Sequence, residues 1–145
     1  MNRKFSFYRL VHYLLASGSD SGEFSIWDLR AWPKTSTPAP AASFKWHQKP
    51  VTSLDWHPVE SSVLAVSGAD DQVTIWDLAL ERDAEEEASF TNGAVSPELS
   101  QVPPQLLFIH QGQKYVKEIK WHRQAPGVLI STAFDGFNIF KTINS

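Results

Sequence analysis

The 145-residue chain has no cysteine and only one methionine. Without cysteine there is no disulfide framework, no thiolate nucleophile and no Cys-ligated metal. No stretch reaches the roughly 18 apolar residues that a helical membrane span needs. The net charge is −3 and no basic stripe is present, which argues against a direct nucleic-acid footprint. Two shortages bear on catalysis and metal binding. There is no Gly-x-Ser-x-Gly elbow to present a serine nucleophile, and no His-x-x-x-His pair to seat a metal. Convincing helical periodicity is also missing outside residues 81–105. Residues 1–4 are basic and 5–15 largely apolar, the outline of a signal peptide. Arg9 and His12 interrupt the apolar run, so residues 1–12 are expected to be a divergent N-terminal arm or a strand.

What the chain does have is repetition. Leu15-Ala-Ser-Gly-Ser-Asp-Ser-Gly-Glu-Phe-Ser-Ile-Trp-Asp-Leu29 returns as Leu64-Ala-Val-Ser-Gly-Ala-Asp-Asp-Gln-Val-Thr-Ile-Trp-Asp-Leu78. A worn third copy is Leu129-Ile-Ser-Thr-Ala-Phe-Asp-Gly-Phe-Asn-Ile-Phe140. Each copy is an apolar run, a tight polar turn, and an alternating run that closes on an aromatic. That is the pattern of strand, hairpin turn, strand. A period of tens of residues is the mark of a repeat architecture.

Between the hairpins the chain supplies further strands. Residues 42–45 are short and β-prone, and residues 31–41 before them carry three prolines that cannot join a ladder. Residues 51–57 alternate, with Val51, Ser53, Asp55 and His57 on one side and Thr52, Leu54 and Trp56 on the other. Residues 106–110 and 116–122 are the next strands. Residues 81–105 differ in kind. Glu81, Asp83, Glu85, Glu86 and Glu87 cluster there, followed by Asn92-Gly93 and three prolines, which predicts an acidic inserted loop. Naming strands a to d outward, 13–45 reads as a partial unit b-c-d, 51–110 as a full unit with its acidic loop, and 116–145 as a final a-b-c.

The Trp-Asp pairs at 27–28 and 76–77, the Ser-Gly pairs upstream of them, and His47 resemble WD40 repeats, which build β-propeller blades. The resemblance implies an all-β partial WD40 propeller of about two and a half blades, the C-terminal piece of a larger ring. It also implies a hydrogen-bonded network pinning each blade: His47, Ser67, Asp70 and Trp76 in the second, and Ser17, Asp20 and Trp27 in the first. In the third it implies His110, Ser131 and Asp135, with Phe140 in place of the Trp. A buried indole N–H needs an acceptor, and a buried Asp or His needs a partner, so these roles are structural. The end of the chain, from Gln105 to Ile143, is similar to the glutamate-rich WD-repeat ribosome-assembly family. That likeness implies a noncatalytic nuclear or nucleolar scaffold for a basic client, either a large-subunit ribosomal protein or a histone.

Three further features have two readings each. The acidic residues 81–87 are either an attractor for a basic client or a solvated insertion. Trp27-Asp28-Leu29-Arg30 matches a box through which some WD40 proteins dock on a ubiquitin-ligase adaptor. Arg30 would carry that contact, and the alternative is ordinary packing. Trp32 and Trp46 lie outside the pinning frame, as interface anchors or as packing between blades. Recurring Ser, His and Asp leave a hydrolase as a distant alternative, but their spacing is that of blade pinning.

Overall fold

A computed structural model describes residues 4–7, 13–34, 39–79 and 102–142. The strands fall into three antiparallel sheets. Sheet A is β1 (Lys4–Phe7), β2 (Leu14–Gly18), β3 (Glu23–Asp28) and β4 (Ala42–Lys45), in that order. Sheet B is β5 (Val51–Trp56), β6 (Val63–Gly68), β7 (Val73–Asp77) and β8 (Leu106–His110). Sheet C is β9 (Val116–Trp121), β10 (Val128–Ala133) and β11 (Gly136–Lys141). A 3₁₀ turn, Leu29–Lys34, follows β3, where Pro33 lacks the N–H a ladder needs.

Of the two readings of residues 1–12, arm or strand, sheet A has a strand over Lys4–Phe7, which adds a fourth strand to the b-c-d unit read over 13–45. Residues Lys4–Phe7 pair antiparallel with β2 in unbroken register, Lys4 opposite Gly18 and Phe7 opposite Leu15. The first sheet therefore has its inner strand, supplied by four residues too few to display a period.

The tight turns follow from their residues. In the β2–β3 turn Gly22 has φ 87°, and at the matching place in the β6–β7 turn Asp71 has φ 69°. Asp is one of the few side chains that enters this region at modest cost.

The three sheets stack face to face through two apolar layers. Ala16, Phe24 and Ile26 of sheet A meet Val51, Leu54, Trp56, Leu64, Val66 and Trp76 of sheet B. The opposite face of sheet B, with Val63, Ala65, Val73 and Ile75, meets Val116, Ile119, Trp121 and Leu129 of sheet C. Burying side chains of this size stabilises by roughly 1.5–3 kcal/mol each. Strand β5 also departs from simple alternation. A bulge between Val51 and Ser53 returns Val51 to the side of Leu54 and Trp56, against sheet A. The extra residue shifts parity by one, and Thr52 turns to sheet C.

Polar bonds join the layers as well. The Val51 N–H donates to the Ser19 carbonyl of sheet A (3.0 Å). Between sheets B and C, Thr52 Oγ1 donates to the Val116 carbonyl (2.7 Å). The Trp121 backbone N–H donates to Asp55 Oδ2 (2.8 Å), and its indole N–H to the Asp55 carbonyl (3.0 Å).

Candidate interaction scaffold and its pinning network

In sheet B the network starts at His47, which follows β4 and is fully buried. His47 Nδ1 lies 2.8 Å from Asp70 Oδ1, and Nε2 lies 3.0 Å from Thr74 Oγ1. The Trp76 indole N–H donates to the same Thr74 oxygen at 2.8 Å. Trp76 donates to Thr74, whose one hydroxyl proton has two acceptors in reach, His47 Nε2 and the Val66 carbonyl at 3.2 Å, while His47 Nδ1 faces the Asp70 carboxylate. Asp70 Oδ2 also accepts the Gln48 N–H at 3.0 Å. Partial burial raises the Asp70 pKa, but the His47 and Gln48 donors outweigh it and hold the carboxyl below its ordinary value. Gly68 is required here, because a Cβ would strike Asp70 and His47.

Ser67 is outside this network, which corrects the expectation. Leu64 faces Trp76 and Leu15 faces Trp27 in the two sheets. On that register the position matching Ser17 is Val66, and Ser67 stands one residue out of step. A one-residue shift moves a strand side chain to the other face. Ser67 accordingly bonds Thr52 Oγ1 at 2.8 Å, toward sheet C. Thr74 holds the hydroxyl role that the sequence reading gave to Ser67. The signal that identifies it is its placement two residues before the Trp, on the same strand face.

Sheet A keeps a reduced version. The Trp27 indole N–H donates to Ser17 Oγ at 2.8 Å. Ser25, the counterpart of Thr74, pairs with Ser43 instead (2.9 Å). Asp20 lies in the β2–β3 turn and is engaged within the chain.

Sheet C corrects a second residue. His110 closes β8, opposite Val73, at the place Phe44 holds opposite Phe24 in sheet A. Its ring stacks on Phe140, with centroids 3.9 Å apart and planes 11° apart, and Asn138 Nδ2 donates to its Nε2 at 3.3 Å. Burial lowers its pKa. The counterpart of His47 is Gln113, three residues on, which is buried and accepts a hydrogen bond from Ser131 through Oε1. Asp135 accepts the Lys114 N–H at 3.3 Å, as Asp70 does for Gln48. A carboxamide replaces the imidazole, which is why a search for His passed over Gln113.

A further repeated device lies at the Trp-His ends of β5 and β9. His57 Nδ1 accepts the backbone N–H groups of Val59 (3.1 Å) and Glu60 (2.8 Å). His122 Nδ1 does the same for Gln124 (3.1 Å) and Ala125 (2.9 Å). Each ring caps the turn after an inner strand. The His57 edge meets the Trp121 ring at 4.6 Å and 62°, and burial lowers the His57 pKa.

The candidate contact residues are placed as follows. Arg30 is exposed, with Nε and Nη2 donating to the two Asp28 oxygens at 3.0 and 2.7 Å and its guanidinium 3.6 Å over the Tyr13 ring. The hydrogen bonds to Arg30 lower the Asp28 pKa. Trp46 packs against the A–B core and donates to Gln72 Oε1 at 3.0 Å, so it is packing rather than a free anchor. Glu81, Asp83, Glu85, Glu86 and Glu87 lie outside the described residues.

The family model for the WD domain, G-beta repeat, matches residues 39–77, from the outer strand of sheet A through the Trp76-Asp77 pair. The chain is a WD40-repeat protein. Its three sheets are blades of a partial propeller. The chain is 53% identical over 109 residues to ribosome assembly protein rrb1 of Schizosaccharomyces pombe, covering 75% of this chain and 22% of that protein. It is 56% identical over 69 residues to glutamate-rich WD repeat-containing protein 1 of Dictyostelium discoideum, covering 47% of this chain and 14% of that one. The chain thus spans about a fifth or less of these relatives. Among solved structures, a chain of a mitotic checkpoint complex superposes with a TM-score of 0.65 at 20% identity, covering 94% of this chain and 34% of its own. At that identity the likeness speaks for the fold alone.

Proposed function

We propose that this WD40 chain is a noncatalytic protein-interaction scaffold in ribosome biogenesis. It works in the nucleus and nucleolus and holds a basic client, a large-subunit ribosomal protein or a histone. The observation that carries this reading is the 53% identity to a ribosome assembly protein over 109 residues. The pinning groups support the noncatalytic part, since His47, Asp70 and Thr74 use their polar atoms on one another. The acidic run 81–87 supplies the long-range attraction that a Lys/Arg-rich client feels. The ubiquitin-ligase reading gains no comparable support, because the Nε and Nη2 donors of Arg30 are engaged by Asp28.

The test is a pull-down of purified histones and large-subunit ribosomal proteins with the wild-type chain and with Glu85, Glu86 and Glu87 all changed to Lys. Client capture should fall with the charge reversal and with rising salt. Capture that the reversal leaves unchanged would reduce the acidic segment to a solvated insertion.

A further inference from the structure

Sheets A and B repeat each other closely enough to be compared residue by residue. Trp27 and Trp76 fix the alignment, with Leu15 and Leu64 opposite them. Two differences fall at one end of the A–B junction. The first is in the outer strands. Ala42 stands opposite Ile26 in sheet A, and Phe108 stands opposite Ile75 in sheet B. Phe108 packs into the B–C layer, its ring stacked near Phe140 with centroids 6.3 Å apart. Ala42 is too short to do the same, and the A–B junction keeps an open apolar cavity of about 290 Å³. Ile26, Ala42 and Phe44 of sheet A and Trp56 and Leu78 of sheet B line it.

The second difference is at a carboxylate. Asp28 and Asp77 hold the same register place, opposite Leu14 and Val63. Asp28 Oδ1 accepts the Arg30 backbone N–H at 3.0 Å, and Asp77 Oδ1 the Ala79 backbone N–H at 3.0 Å. Asp28 is neutralised by its own chain, because Arg30 Nη2 donates to its Oδ2 at 2.7 Å. Ala79 has no such side chain. Ser62 Oγ donates to Asp77 Oδ1 at 2.6 Å, and Asp77 Oδ2 makes no hydrogen bond or ion pair among the described residues. Ser62 and Ala79 also line the cavity, so the carboxylate lies beside it. In sheet C the same place is Lys141, opposite Val128.

We propose that this end of the A–B junction docks a cationic segment of the basic client, with a large apolar side chain in the cavity and an arginine on Asp77 Oδ2. The inference rests on the client reading above and gives it a place on the blades. The repeat itself shows what each half accepts. Phe108 puts an aromatic where Ala42 falls short, and Arg30 puts a guanidinium on the matching carboxylate. Hot spots form where an anchor fills a desolvated pocket, and ionised partners make the stronger hydrogen bonds.

The test fills each half with a side chain of this chain's own. Ala79→Arg offers Asp77 the guanidinium that Asp28 has, and Ala42→Phe fills the cavity as Phe108 fills its junction. Each variant is compared with the wild type in the pull-down of purified histones and large-subunit ribosomal proteins, and its thermal midpoint checks the fold. Either substitution should cut capture about fivefold or more, with midpoints no lower than the wild type. Ala79→Gln, of similar length but uncharged, should keep most of the capture. A loss as large with Gln would mark crowding and overturn the role of Asp77. A lowered midpoint for Ala42→Phe would show that the cavity does not take an aromatic and overturn its role. Capture that Ala79→Arg and Ala42→Phe leave unchanged, but that reversal of Glu85, Glu86 and Glu87 abolishes, overturns the docking site and leaves the client reading standing. A wild type that captures nothing overturns both.

Discussion

Thr74 ties two buried rings of the second blade together. Its hydroxyl meets the His47 ring and the Trp76 indole at once, and His47 Nε2 and the Trp76 N–H would be left buried and unpaired without it. Thr74→Val should therefore destabilise the chain by about 1–3 kcal/mol in urea titration. Ser67→Ala, which leaves His47 and Trp76 paired, should cost about 1 kcal/mol or less. Equal effects of the two would reinstate Ser67 in the network. The histidines set a pH dependence. Burial lowers the pKa of His57 and His110 in the folded state, so the unfolded chain binds more protons as pH drops below the ordinary value of about 6.5. Stability should be full above about 6.5 and fall as pH passes down through the folded values. His57→Gln should flatten that slope in urea midpoints taken from pH 5 to 8. Asp70 acts lower: its depressed pKa keeps its contribution intact above about 3.8 and loses it on further acidification.

Among the elements, the hairpins were legible because a period of two and a closing Trp-Asp leave few alternatives. Strand β1 was not, since four residues after a basic start show no period of their own. The Val51 bulge was hidden for a different reason. Alternation read along one strand cannot reveal that a partner strand skips a residue. That bulge sends Val51 onto Gly18 of the neighbouring sheet, where a Cβ on residue 18 would sit 2.7 Å from the Val51 Cβ. Gly18→Ala should wedge the first two sheets apart and cost about 1–3 kcal/mol, read as a lowered thermal midpoint. Gly18→Ala combined with Val51→Ala should recover only part of that loss, because the second change removes the Val51 Cγ1 contact and leaves the Cβ contact in place.

For the molecule as a whole, the sequence showed how many sheets there are and in what order. It misled on Ser67 and His110, and for one physical cause. A motif matched by residue type, without the strand register, lands one residue off or on the wrong strand. Gln113 and Thr74 fill the same places by geometry, with a different amide or hydroxyl. The central claim is that the three sheets are neighbouring wedges of one body, stacked A on B on C. The most direct test is a nuclear Overhauser spectrum of the isotope-labelled chain. Cross-peaks are predicted between the His57 ring and the Trp121 indole, whose centroids lie 4.6 Å apart, and between the Val51 methyls and the Gly18 α-protons. Intact within-sheet cross-peaks with both of these inter-sheet sets missing would contradict the stacked arrangement.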